Sequence, residues 1–394
     1  MSQRFTTIVL LAYLTTFGNS VAAAEAFPSS AEIVSLLSNG KYSELDRRLT
    51  LAQKAYERGA INDEQLREVF RGFYFTTPAL ASNFDQWIVQ FPRSYVAHLA
   101  RGIYYKKIGQ ELRGGNAASE TSDAQFQAMR KALARASADL EKSLSLDPKP
   151  LLTYMHQLTI DQLLGRSAEE HAILEQSIAL DKDNYVVRYA YMGALQTRWG
   201  GNLEQMQDFM EECRKAHLSA KELGSLQALI ADDEAWNHRY IEGNAAAAVR
   251  AYRREARLNP RPSCVPCGPI EQAADTLRED HKYREAIRLY SQLLQSHPGA
   301  VDALSNRAYS EEQLGLRKEA FRDFSRAAEL GSAYAQDMLA RIYLVGTAVP
   351  HDRRKAIEWL TKAVAQGYEP SRKLLEMAQN DQVQILLQPG DPSL

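Results

Sequence analysis

The sequence predicts an all-α chain, a solenoid of helix–turn–helix repeats wound as a right-handed superhelix behind a cleaved N-terminal signal peptide. Three observations predict it. Small and aromatic residues recur with a period of 34 in the C-terminal half. Within each period they are spaced to share one face of a helix. The first two dozen residues have the layout of an export signal. The 394 residues are 45% hydrophobic and 24% charged, an ordinary balance for a folded domain, which excludes whole-chain disorder. A formal net charge of -2 leaves no broad positive field for a phosphate backbone, so no nucleic-acid partner is expected.

The N-terminus starts with Arg4 and continues into a mostly apolar run from Phe5 to Phe17. Small residues follow, ending in Ala22-Ala23-Ala24 before Glu25. Positive start, apolar centre and small-residue site are the parts of a cleaved signal peptide, placed at residues 1–24. The run is shorter than the roughly 20 residues of an ordinary membrane span, which weighs against the alternative of an uncleaved N-terminal anchor. No later stretch is long and apolar, so the mature chain is expected to be periplasmic or secreted, with no integral membrane segment.

The repeat is firm only after about residue 229. Ala274 and Ala308 are 34 apart, as are Ala286 and Ala320, and Tyr290 and Phe324. Pro298 closes the first unit, and Gly331-Ser332 fills the corresponding turn of the second. Units at about 267–300 and 301–334 follow, each a helix, a turn and a helix. The small residues mark where partner helices cross closely. An isolated pair cannot cover its own apolar face, so neighbours must stack. These positions resemble the tetratricopeptide family, which implies a stacked-helix fold and a protein partner. Arg307 and Glu311 replace the usual leucine and tyrosine of the second unit's first helix.

An earlier unit, about 229–262, keeps the same rule through Ala248, Tyr252 and Pro260, with Trp236 where a small residue is expected. Residues 151–184 and 185–218 read as further, degenerate pairs. The last unit differs in type. Leu339-Ala340, Tyr343 and Gly346 lead into Lys355-Ala356, Trp359, Lys362-Ala363 and Gly367. This run resembles a Sel1-like repeat, with Ala340 and Ala348 standing where glycine is usual.

Upstream, Ile33, Leu36 and Leu37 begin a helix stopped by Asn39-Gly40, and Leu45, Leu49, Ala52 and Tyr56 share one face of the next. The segment Ala97-x-x-Ala100-Arg101-Gly102-x-Tyr104-Tyr105, followed by Ala138 to Leu144, resembles an uncharacterised bacterial helical domain. That resemblance implies fold and no chemistry. The organisation read from the chain is a signal peptide at 1–24, an irregular helical domain at 25–165 and degenerate repeats at 166–262. Tetratricopeptide-like repeats follow at 263–334, then a Sel1-like repeat at 335–379 and a flexible tail at 380–394.

Chemistry-bearing motifs are sparse. Cys264-Val265-Pro266-Cys267 lies in a proline-rich loop, and in an oxidising compartment its default is a structural disulfide. Thiol exchange would need a preceding strand, and zinc usually wants four ligands. Cys213 reads as a buried thiol acting as a small hydrophobe. The eight histidines form no zinc-protease pattern, and no phosphate loop, dinucleotide fingerprint or nucleophile elbow occurs. No cofactor is expected.

Function is therefore read from architecture: a non-catalytic scaffold or adaptor for a protein or peptide, with an immunity or chaperone role for a secreted partner as its narrower form. Tyr189, Tyr309 and Asn306 are the candidate partner-binding residues. In the tetratricopeptide carboxylate clamp only Asn306 agrees, because Glu271, Asp275 and Asp302 would repel a carboxylate. The alternative is an envelope enzyme in the N-terminal helical domain, built around Trp87, His98 and Arg101.

Overall fold

A computed structural model describes residues 27–114, 120–258 and 268–380. These contain nineteen α-helices and no strand. The chain divides into two compact units, residues 1–223 and 224–394. Residues 1–24 and the Cys264/Cys267 pair lie outside the described residues.

In the first unit the helices are Ser30–Ser38 (α1), Tyr42–Glu57 (α2), Asp63–Phe70 (α3), Ala81–Gln90 (α4), Tyr95–Arg113 (α5) and Asp123–Leu144 (α6). Leu151–Leu164 (α7), Ser167–Leu180 (α8), Val186–Ala194 (α9) and Leu203–Lys215 (α10) follow. Their starts are written in the sequence. Ser29 with Glu32, Asn62 with Gln65 and Ser122 with Gln125 each form a reciprocal cap that satisfies otherwise orphaned amides. The face predicted for α2 is buried: Leu45, Leu49 and Ala52 are fully enclosed. An aromatic core of Phe70, Phe73, Phe84 and Trp87 fills the space between the N-terminal helices.

Helix Ala220–Trp236 (α11) contains the division between the units. The second unit continues with Ala245–Leu258 (α12), Pro269–Glu279 (α13), Tyr283–Ser296 (α14), Val301–Gln313 (α15), Arg317–Glu329 (α16), Ala333–Val345 (α17), Arg353–Ala365 (α18) and Pro370–Gln379 (α19). Each packs on its successor, and the first helices α13 and α15 also touch directly. This is the stacked-pair repeat the period predicts. Ala274, Ala286, Ala308, Ala320, Tyr290 and Phe324 are all buried in one continuous core.

One register differs from the sequence reading. Ala235, and not Trp236, enters the core beside Ala248 and Tyr252. A π-turn over Asn237–Ile241 follows α11, and a π-turn takes up an extra residue. Trp236 is left half-buried against the Tyr240 ring, 5.6 Å away.

In the last unit Gly346 ends α17 in the left-handed region at φ 76°, and a Cβ there would lie 3.2 Å from the His351 amide nitrogen. The loop then turns back so that the Asp352 amide donates to the Tyr343 carbonyl at 3.0 Å, and the Asp352 side chain caps α18. Gly367 likewise has a positive φ of 82°. Ala340, Ala356 and Ala363 are fully buried. Tyr343 and Trp359 are half-buried against the core, each covered by a lysine: Lys355 over Tyr343 and Lys362 over Trp359. No helix among the described residues is long and apolar enough to cross a membrane.

Candidate partner-binding face

The second unit separates charge by layer. The first helices α13, α15 and α17 carry three arginines against seven carboxylates. The second helices α12, α14, α16 and α18 carry fourteen lysines and arginines against six carboxylates. Because first helices alternate with second helices along the stack, one layer is acidic and the other basic.

On the acidic layer, Asp275 of α13 is the meeting point of two repeats. The Tyr290 hydroxyl donates to its Oδ1 at 2.5 Å, and the Asn306 amide donates to the same oxygen at 3.1 Å. One turn earlier Glu271 is only 4% exposed, and its Oε2 has no hydrogen-bond partner among the described residues. Burial, with Asp275 and Asp302 close by as like charges, raises its carboxyl to about 7. A half-neutralised, unsatisfied carboxyl between two acids is costly as it stands. A cation placed beside the three would relieve that cost.

Aromatic surface adjoins the acids. Tyr309 on α15 meets Tyr283 edge-on at 6.3 Å, and the Arg278 guanidinium lies 5.9 Å from the Tyr309 ring centroid. Tyr309 and Asn306 are each half-buried on this face. Asn306 spends its amide within the repeat, and Tyr309, whose hydroxyl pairs with that of Tyr283, offers ring surface. Tyr189 lies in the first unit, packed by Tyr185 at 5.6 Å and under Arg67 at 5.8 Å, whereas Tyr309 lies in the second.

The departures from the tetratricopeptide pattern are filled by an ion pair. Arg307 grips Asp323 of α16 through two contacts, 2.5 and 2.9 Å, and donates to the Ser291 hydroxyl of α14 at 3.0 Å. Three helices are bonded through one guanidinium where the pattern has apolar packing. Glu311, 7% exposed, is raised to about 7 by burial and by Asp323.

On the basic layer, a cavity of about 710 Å³ opens between α12 and α14, beside the start of α13. Its floor includes Ala256, Pro269, Ile270, Leu289 and Leu293, and Arg253 and Arg257 stand at its edge. Neither period nor motif signals it, because it depends on how far apart two non-adjacent helices lie.

In the first unit Trp87, His98 and Arg101 are each held by carboxylates of neighbouring helices. Trp87 is fully buried, its indole N–H donating to Asp46 at 3.1 Å. Asp139 receives two bonds from Arg101, at 2.7 and 2.8 Å, and faces His98 Nδ1 at 3.2 Å. Arg101 also reaches Asp85, and His98 Nε2 faces the Pro92 carbonyl. Burial opposes ionisation of Asp139, but the His98 and Arg101 bonds outweigh it and hold the carboxyl below the usual range. Cys213 is fully buried, and burial pushes its thiol up to about 11. Among the described residues no three His, Cys, Asp or Glu side chains group to hold a metal ion.

Residues 29–168, covering α1 to α7, match the family described as a domain of unknown function, DUF4034. That match falls where the sequence resembles an uncharacterised helical domain. Among solved structures, the chain is similar to a Sel1 repeat protein from Oxalobacter formigenes, with 16% identity, 88% of this chain and 90% of that chain covered, and a TM-score of 0.36. It is also similar to the TPR domain of P58(IPK), with 15% identity, 90% and 97% covered, and a TM-score of 0.26. No curated protein matches the chain.

Proposed function

We propose that this protein is a non-catalytic interaction scaffold whose first-helix face in the second unit binds a partner protein through a segment bearing lysine or arginine. The observation that carries this reading is Glu271, buried, with Oε2 unsatisfied among the described residues and flanked by Asp275 and Asp302. A basic side chain of the partner supplies the missing counter-charge, and Tyr309 supplies rigid contact area with a polar tip. Charge of this kind also speeds encounter and rejects acidic segments.

The reading places the protein outside the cytoplasm, in the periplasm or secreted, on the strength of residues 1–24. An immunity or chaperone role for a secreted basic partner is the narrower form. Catalysis by the first unit is less well supported, because Trp87, His98 and Arg101 commit their polar atoms to Asp46, Asp139, Asp85 and Pro92.

The test is affinity capture from the envelope fraction with the full chain, beside Asp302→Lys and Tyr309→Ala variants. The expected result is a captured protein whose bound segment is basic and whose recovery falls in both variants. Equal recovery by all three, or a bound segment without cations, overturns the reading.

A further inference from the structure

The cavity on the basic layer has its own chemistry. Arg253 and Arg257 are four residues apart on α12, so both guanidiniums project from one face a turn apart. Both are exposed, and neither makes an ion pair among the described residues, whereas their neighbour Arg254 pairs with Glu234. Among the described residues no carboxylate lines the cavity, and its floor is aliphatic. Across from the arginines, α14 presents Gln292 and its C-terminal end, Ser296 and His297. A surface that holds two unpaired guanidiniums over an apolar cleft is complementary to one kind of segment: carboxylates one helical turn apart beside aliphatic side chains. Guanidinium–carboxylate pairing is the strong, directional form of charge recognition. A cleft of this size suits the apolar anchors of a helix laid into a groove.

We propose that the α12–α14 cavity is a second docking site, for an acidic amphipathic helix of a partner protein. It is independent of the first-helix face, which has the opposite charge. The scaffold then holds two segments of opposite sign on opposite layers of the same repeats.

The test uses the full chain and a fluorescein-labelled helical peptide of about four turns, with glutamates one turn apart beside a leucine stripe. A second peptide replaces each glutamate by lysine, and myristate serves as a competing apolar anion. The acidic peptide is expected to bind in fluorescence anisotropy and the lysine peptide to bind at least about tenfold more weakly. The Arg253→Glu, Arg257→Glu double variant should lose at least about tenfold for the acidic peptide. Gln292→Trp, which fills the cleft without altering charge, should lose binding as well, with circular dichroism confirming that both variants fold. Asp302→Lys, on the first-helix face, should bind like the wild type, so the two sites fail separately. Equal binding of both peptides, an unaffected double variant or no peptide binding overturns the proposal. So does saturable myristate binding that the double variant abolishes while peptide binding is absent, which assigns the cavity to an acyl chain.

Discussion

Gly102 of α5 lies so close to Leu140 of α6 that a Cβ at residue 102 would come within 2.6 Å of the leucine Cδ2. The same contact repeats two turns on, where a Cβ at Gly109 would approach Leu133 to 2.9 Å. Leu140 and Leu133 are fully buried, so any shift must be taken up by their packed neighbours. Two long helices therefore meet backbone against side chain through a pair of glycines.

Gly102→Ala should destabilise the first unit. The helix gains about 0.5–1 kcal/mol from the added methyl, but overpacking costs roughly 1–3 kcal/mol. The expected net loss is about 1–2 kcal/mol by urea unfolding. A Gly102→Ala, Leu140→Ala pair should relieve the clash and show a favourable coupling.

Asp139→Ala should cost about 3 kcal/mol, because it leaves the buried His98 and the Arg101 guanidinium without their acceptor. The carboxyl of Asp139 is held below its usual value, so its stabilisation is present above about pH 4 and fades as pH falls through the folded value. Urea midpoints of wild type and variant should converge in the acid limb.

Glu271 gives the opposite sign. Its folded value of about 7 exceeds the ordinary 4.5, so folding takes up a proton between those values and stability declines as pH rises across them. Glu271→Gln removes that dependence and offers an amide to Asp275 and Asp302. At pH 8 the variant should be more stable by on the order of 1–2 kcal/mol, and near pH 5 the two should match. Thermal melts at the two pH values read this directly.

Asp323→Ala should destabilise the second unit by about 3 kcal/mol, since Arg307 loses both contacts in a half-buried position. Arg307→Leu with Asp323→Leu should recover most of that loss, because apolar packing at these positions replaces the pair. A double-mutant cycle separates the pair from the packing.

Cys213 should be inert to an aromatic disulfide reagent in the folded chain, for want of both access and thiolate. In a chain carrying Cys264→Ser and Cys267→Ser, one thiol should react, and only on unfolding.

Much of the second unit was legible in the sequence. Ala274, Ala308, Ala286 and Ala320 predicted where helices cross, and Tyr290 and Phe324 predicted what fills the gap, because a fixed period needs only local geometry to set a face. Gly346 was legible for the same reason: its backbone turn is a local requirement. Trp236 marked a place where packing must depart from the repeat, but the form of the departure was not legible: a π-turn after α11 shifts the register by one residue, and no period encodes that insertion.

Determined by the sequence alone were the all-α class, the repeat unit and the small residues that let helices stack. All follow from spacing along one chain segment. Decided only by the tertiary structure were the burial of Glu271 beside Asp275 and Asp302, the three-helix grip of Arg307 and the cavity edged by Arg253 and Arg257. Each depends on the distance between side chains from separate helices. Local spacing sets the face a residue takes, and only the packed neighbours set the charge or space it meets there.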